Sequence, residues 1–178
     1  MKNDIKTQMI KKFENVKWRG HTCGRGSIFE NTEIIRNLLV EVIKKYDIRT
    51  IADIGAGDLS WIYHTKWPHK IEYSPYDLVP RHKDIIRFDI TSEIPPSVDL
   101  ILCRYVLNHF DHDELYLAAI DNIKKSKSKY LLMTLTKAKE NHFSEKWGSE
   151  IIMPLVEEGF KGKRHHMFYG LWRLTEEL

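Results

Sequence analysis

The chain has 178 residues, 42% hydrophobic and 30% charged, enough for one domain with a sizeable core and too few for two of usual size. A formal charge of +3 is too mild to demand a polyanionic partner, no apolar run reaches membrane-spanning length, and the polar start Met1–Lys12 lacks a signal-peptide core. Cys23 and Cys103 lie far apart with no CxxC or Cys/His spacing, which argues against a structural zinc and for a reducing, cytoplasmic setting away from membranes.

Residues 1–26 read as an N-terminal arm or lid, and residues 27–178 as a single domain. The first 19 are polar and basic, a short helix or a docked arm anchored by Phe13, Val16 and Trp18. Cys23-Gly24-Arg25-Gly26-Ser27 is a glycine-rich basic loop. It is either a surface connection or a lid segment whose N–H groups, Arg25 or Trp18 meet a bound ligand.

From Ser27 or Asn31 the pattern predicts a long amphipathic helix: Ile34, Ile35, Leu38, Leu39, Val42 and Ile43 fall at the 3.6-residue period, and Ser27 to Glu30 has capping-box spacing. A strand follows at about 49–54, then a brief helix over Ser60–Lys66, stopped at Trp67-Pro68. Further strands are expected at Lys70–Val79, Ile85–Ile90 and Val98–Cys103, the last a nearly continuous apolar run suited to a buried parallel strand. Asp111 suits the N-cap of a helix carrying Leu115, Leu117, Ala118, Ile120 and Ile123, and Tyr130–Thr136 is another buried strand. Ile151, Ile152, Leu155 and Val156 suit one helical face, although Pro154 interrupts it. Met167–Leu174 reads as a final strand, paired with 160–165 in a hairpin. Strands alternating with helices predict an α/β fold: an open, mostly parallel sheet with helices on both faces.

The stretch Asp53-Ile54-Gly55-Ala56-Gly57-Asp58-Leu59-Ser60 is a strand running into a glycine turn, with a helix expected near Ser60. Such a turn brings main chain close to a ligand, and a helix N-terminus would offer amides and the positive end of its dipole. A dinucleotide fingerprint wants a third glycine, and Ser60 stands at that place. Asp53 and Asp58 flank the turn, where they would repel a pyrophosphate and welcome an ammonium or sulfonium.

Ligands of open α/β sheets sit at the carboxyl ends of strands near the switch point. Those ends carry Asp53, Asp77, Asp89 and Cys103-Arg104. Asp77, twenty positions past Gly57, is placed to receive ribose hydroxyls, or is a turn residue before Val79-Pro80. Asp89 would accept from an adenine amino group, or caps a turn with Thr91-Ser92.

Asp53-x-Gly55-x-Gly57, Tyr76-Asp77-Leu78-Val79-Pro80, Phe88-Asp89-Ile90 and Val98-Asp99-Leu100-Ile101-Leu102-Cys103-Arg104 resemble, in order and spacing, the class I S-adenosylmethionine-dependent methyltransferases. The likeness covers about residues 28–136, with Gly170–Leu174 similar to the family's last strand; the whole chain looks like a small bacterial and phage group of undefined substrate. The resemblance implies a Rossmann-like sheet of about seven strands with the last antiparallel. It implies methionine-tail contacts at Asp53 and at Gly55, Ala56 and Gly57, ribose contacts at Asp77 beside Leu78, and adenine contacts at Asp89 and Ile90. S-adenosylmethionine would be the cofactor and S-adenosylhomocysteine the product. Family loops often carry a third glycine where this chain has Leu59, and the helices between the second and fourth strands are short here.

Methyl transfer needs positioning and desolvation of the acceptor, and a base only if that acceptor is protonated. Arg104-Tyr105-Val106-Leu107-Asn108-His109 should face the methyl group, Arg104 and Cys103 also meeting cofactor. His109 is the candidate base, or a polar residue opening a helix. Neither an (Asp/Asn)-Pro-Pro-Tyr run nor a Pro-Cys nucleophile is present, which disfavours both common DNA-base chemistries. His109-x-x-His112 among acids lacks a third fixed ligand, so no metal is expected. Basic residues at Lys11–Arg25, Lys124–Lys129 and Lys161–His166 fit a solvated surface or an RNA or single-strand acceptor. The acceptor is thus a small molecule or nucleic acid. The alternative is a non-catalytic S-adenosylmethionine-binding module with a regulatory or counter-defence role, and a nicotinamide oxidoreductase stands further off.

Overall fold

The computed structural model describes residues 7–8, 10–11, 13–14, 23–110, 113–136, 150–158 and 167–174. Seven strands form one sheet: β1 (Thr50–Ile54), β2 (Glu72–Asp77), β3 (Ile86–Arg87), β4 (Leu100–Cys103), β5 (Tyr130–Thr136), β6 (Glu150–Glu158) and β7 (Met167–Arg173). Their spatial order is β3-β2-β1-β4-β5-β7-β6. β7 alone runs antiparallel to its neighbours β5 and β6, as the sequence resemblance implies. The chain moves outward from β1 to β3, returns to β4 on the other side of β1, and so sets the switch point between β1 and β4.

Two helices cover opposite faces. Helix α1 (Glu33–Tyr46) buries Ile35, Leu38, Leu39, Val42 and Ile43 against Ile51, Leu100, Leu102, Leu132 and Leu171. Helix α2 (Asp113–Lys125) buries Tyr116, Ala119, Ile120 and Ile123 against Ala52, Ile54, Ile101, Cys103, Leu131 and Trp172. Alternate residues of each central strand thus enter different cores, the period-two rule of a sheet covered on both sides. Asp47, at φ +48, ends α1, and the Ile48 N–H reaches back to the Ile43 carbonyl at 3.1 Å. Gly170 is required on β7 because a Cβ there would overlap the indole of Trp172, which is fully buried.

Several elements differ from the sequence expectation. Ser27 and Glu30 do not cap α1. They fall in 3-10 turns at Arg25–Ser27 and Phe29–Asn31, and the helix begins at Glu33. The helix expected over Ser60–Lys66 is only a 3-10 turn, Ile62–His64, so the glycine turn is not followed by an α-helix dipole. β3 is two residues long, because Asp89 turns the chain by accepting from the Thr91 amide at 2.9 Å. The helical face assigned to Ile151–Val156 is instead β6, the edge strand, and β7 pairs with β5 on one side and β6 on the other. Residues 160–165 and Asp111 lie outside the described residues. Pro75 is tolerated inside β2 because β3 pairs only with Tyr76 and Asp77, leaving Pro75 on an open edge. No described helix is long and apolar enough to cross a membrane.

Candidate functional site

The turn after β1 is tied to the end of β2. Gly55 and Ala56 donate their N–H groups to the Tyr76 carbonyl at 2.8 and 3.0 Å, and Gly57 donates to Asp77 Oδ2 at 2.9 Å. Gly55 and Gly57 stand at φ +82 and +70, which favours glycine, and a Cβ on Gly55 would overlap Val106. Asp77 Oδ1 accepts from the Val79 N–H at 2.9 Å, so both carboxylate oxygens are held at the strand end. Burial pushes the Asp77 carboxyl up, against the opposing pull of the Val79 and Gly57 amides and Arg81. Leu78, between these contacts, is half-buried.

Asp53 points from β1 to the α1 face, is 2% exposed, and accepts a 2.5 Å hydrogen bond from the Tyr73 hydroxyl on β2. Burial raises its carboxyl to about 7; Tyr73 and Arg104 oppose that rise, whereas Asp77 adds to it. The site therefore holds two carboxyls whose charged forms burial disfavours, and a positive charge placed beside them would favour ionisation.

At the end of β4, Arg104 is buried; its Nε donates to the Tyr169 hydroxyl at 2.6 Å and its Nη2 to the Gly26 carbonyl at 2.7 Å. The guanidinium lies 4.6 Å from the Tyr105 ring centroid and 5.5 Å from that of Trp61. Tyr105, at φ +53, donates its N–H to Thr134 Oγ1 at 2.7 Å and sets its ring against Gly26. His109 closes a 3-10 turn, Leu107–His109, and meets the Phe13 ring edge-on at 5.4 Å. Arg81 Nη2, from the segment after β2, donates to the Phe13 carbonyl at 2.6 Å.

Around the switch point the structure brings together Asp53, Gly55, Ala56, Gly57, Asp77 and Arg104, with Tyr105 following Arg104. Asp89 and Ile90 follow β3. Asp89 Oδ1 takes the turn role, accepting from Thr91 N–H and Oγ1 at 2.9 and 2.6 Å, and Ile90 is buried with its carbonyl held by Asn122. Cys103 is fully buried, its thiol pushed up to about 12 by burial, with Asp53 adding. Trp18 and the Arg25 side chain lie outside the described residues, as does His112. Among the described residues no three His, Cys, Asp or Glu side chains cluster at metal-binding distance. Sequence reasoning missed Tyr73, Arg81 and Tyr169. Only Tyr73 had a readable signal, since it shares the α1 face with Asp53 on the neighbouring strand.

Comparison with solved structures finds the same fold in several methyltransferases. The N-methyltransferase NodS from Bradyrhizobium japonicum WM9, in complex with S-adenosyl-L-homocysteine, superposes with a TM-score of 0.65 at 14% identity, over 94% of this chain and 97% of that one. The 1,6-didemethyltoxoflavin-N1-methyltransferase of Burkholderia thailandensis gives 0.63 at 10% identity, over 83% and 79% of the two chains. Magnesium protoporphyrin IX methyltransferase (ChlM) from Synechocystis PCC 6803, with bound SAM, gives 0.61 at 11% identity, over 82% and 81%. No family model and no curated protein sequence matches the chain, so the likeness is one of fold. That fold is the class I methyltransferase fold.

Proposed function

We propose that this chain binds S-adenosylmethionine across the carboxyl ends of β1, β2 and β4 and transfers its methyl group to a small-molecule or nucleic-acid acceptor. One observation carries the reading: the amides of Gly55, Ala56 and Gly57 are all used by β2, and only a three-residue 3-10 turn follows the loop. A pyrophosphate here would meet carboxyls and no helix dipole, with these loop amides already engaged. S-adenosylmethionine carries no phosphate. It presents a ribose diol, which suits a fixed carboxylate such as Asp77, and cationic centres, which suit Asp53. Asp89, Ile90 and Leu78 are the residues proposed around the adenosine.

The cofactor supplies an activated methyl group with its leaving group attached. The chain's own part is to hold the acceptor in line, exclude water and, for a protonated acceptor, remove a proton. His109 is the proposed base, with Tyr105 beside it after β4. The Cys103 thiol, buried and held protonated, is unsuited to nucleophilic attack.

Calorimetry should show saturable binding of S-adenosylhomocysteine and none of NAD. Labelled methyl groups should then appear in one of the RNA, DNA or metabolite fractions incubated with the protein. Binding of NAD alone would refute the proposal. Binding of S-adenosylhomocysteine with every fraction unlabelled would favour a non-catalytic S-adenosylmethionine-binding module.

A further inference from the structure

We propose that Cys23–Ser27 is a strap gating the glycine loop, and that Ser60 and Arg104 are the positioning residues that latch it. The proposal rests on the cofactor reading above for the identity of the ligand admitted, and on geometry for the gate itself. Cys23 Sγ stands 3.0 Å from the place a Cβ on Gly57 would take, so the strap lies against the main chain a ligand must approach.

Three strand ends hold the strap. Ser60, from the loop after β1, donates its hydroxyl to the Ser27 carbonyl at 3.0 Å. Arg81, after β2, places Nη1 at 3.7 Å from Cys23 Sγ. Arg104, after β4, donates Nη2 to the Gly26 carbonyl at 2.7 Å. These elements flank the switch point on both sides, so the ties span the site rather than one edge of it.

The two sides of the latch differ in rigidity. Arg104 is 7% exposed, is bonded through Nε to Tyr169 on β7 and is packed against Tyr105 and Trp61. Within the strap, the Ser27 N–H meets the Gly24 carbonyl at 3.3 Å and Ser27 Oγ meets the Cys23 carbonyl at 3.3 Å, both long. The ties from Ser60 and Arg104 end on strap carbonyls. Breaking them releases main chain and leaves the sheet's ladders whole, so the strap is the part that moves.

The protein carries its own reporter. Cys23 is partly exposed, whereas Cys103 is fully buried with its thiol pushed up to about 12, so a thiol reagent at pH 8 reads Cys23 alone. The experiment follows labelling rate of the full chain with and without saturating S-adenosylhomocysteine, and in Ser60→Ala and Arg104→Lys. Ligand should slow labelling, and a bulky label on Cys23 should weaken ligand binding about tenfold or more, the effect of obstructing contact with the loop. Ser60→Ala should speed labelling of the ligand-free protein about fivefold, the change expected of one lost hydrogen bond. Ligand association and dissociation should rise together in that variant, which a purely structural role would not produce. Equal labelling with and without bound ligand, or an unchanged Ser60→Ala rate, would overturn the gate. If unmodified protein fails to bind the ligand, the proposed function falls, while the Ser60→Ala labelling rate still decides the strap.

Discussion

Gly57 and Asp77, twenty positions apart, are joined by a 2.9 Å hydrogen bond from the glycine amide to the carboxylate. The bond makes one body of the turn after β1 and the end of β2, and it fixes the orientation of the side chain proposed to receive the ribose. Asp77→Ala should therefore lose two things at once. Hydrogen bonds to charged groups contribute ~1.5–3 kcal/mol, so affinity for S-adenosylhomocysteine should fall roughly 10- to 150-fold. Stability should fall as well, because the Gly57 and Val79 amides lose their acceptor. Asp77→Asn keeps one oxygen, yet its amide nitrogen would face one of two N–H donors, so it too should be destabilised. Urea melts and calorimetry on the same samples separate the effects. Parental affinity in Asp77→Ala would remove the ribose assignment.

Asp53 makes a pH prediction of definite sign. Its carboxyl titrates near 3.8 in the unfolded chain and near 7 in the fold, because burial penalises the charge more than Tyr73 relieves it. Between those values the folded state holds a proton that the unfolded state has released. Stability contributed by this group is thus fully present below about pH 4 and is lost as pH rises through about 7. An asparagine side chain at this position would keep an oxygen for the Tyr73 hydroxyl and carry no charge. Asp53→Asn should raise the melting midpoint at pH 8, change it little at pH 4, and weaken binding of cationic S-adenosylmethionine. A stabilised variant that binds worse marks a site where ligand capture is favoured over folding. Equal midpoints at pH 8 would show that Asp53 is not strained by its burial.

The parts of this molecule legible in sequence are those governed by local pattern. The 3.6-residue period of α1, the apolar run of β4 and the acids at the carboxyl ends of β1 and β2 were all readable, and with them the open, mostly parallel sheet. β6 was misread for a physical reason. Register shifts between Ile151 and Met153 and between Met153 and Val156 break its alternation, and Pro154 lies within the second. What remains is an i, i+1, i+4, i+5 spacing of apolar residues that imitates a helix face. The expected helix after Ser60 failed because the chain turns back at once, with Trp61 and Ile62 buried in the α1-side core. Arg104 could be placed at a strand end, but its partners Tyr169 and Gly26 lie 65 and 78 positions away and carry no local signal.

Asp99, beyond the opposite end of the sheet, should show the reverse pH behaviour. Burial pushes its carboxyl up, but Lys129 and the Arg49 and Thr50 amides outweigh burial and hold it below its ordinary value. Oδ2 accepts from the two amides at 2.9 and 3.0 Å, while Oδ1 takes Lys129 at 2.7 Å. A lowered pKa means stability present above about pH 4 and lost as pH falls through the folded value. Asp99→Ala should cost ~1–3 kcal/mol, because the amide donors that start β1 lose their acceptor. Lys129→Ala should be nearly neutral, since the lysine is well exposed. Urea melts of both variants at pH 3 and pH 7 test this, and equal losses would locate the contribution in the ion pair instead.

Leu59, in the turn after β1, has the left-handed backbone conformation a glycine adopts freely, φ +62. For a leucine that conformation costs ~1–2 kcal/mol. The side chain explains why it is kept: Leu59 is 1% exposed and packs in the α1-side core with Trp61 and Ile62. Removing a buried leucine to alanine costs ~2–5 kcal/mol and leaves the backbone strain in place. Glycine loses the same contacts but releases the strain. Leu59→Gly should therefore be less destabilising than Leu59→Ala by ~1 kcal/mol, the opposite of the order at an ordinary helical or extended position. Chemical denaturation of the two variants decides it: alanine more stable than glycine would mean that the turn does not hold residue 59 in the left-handed region.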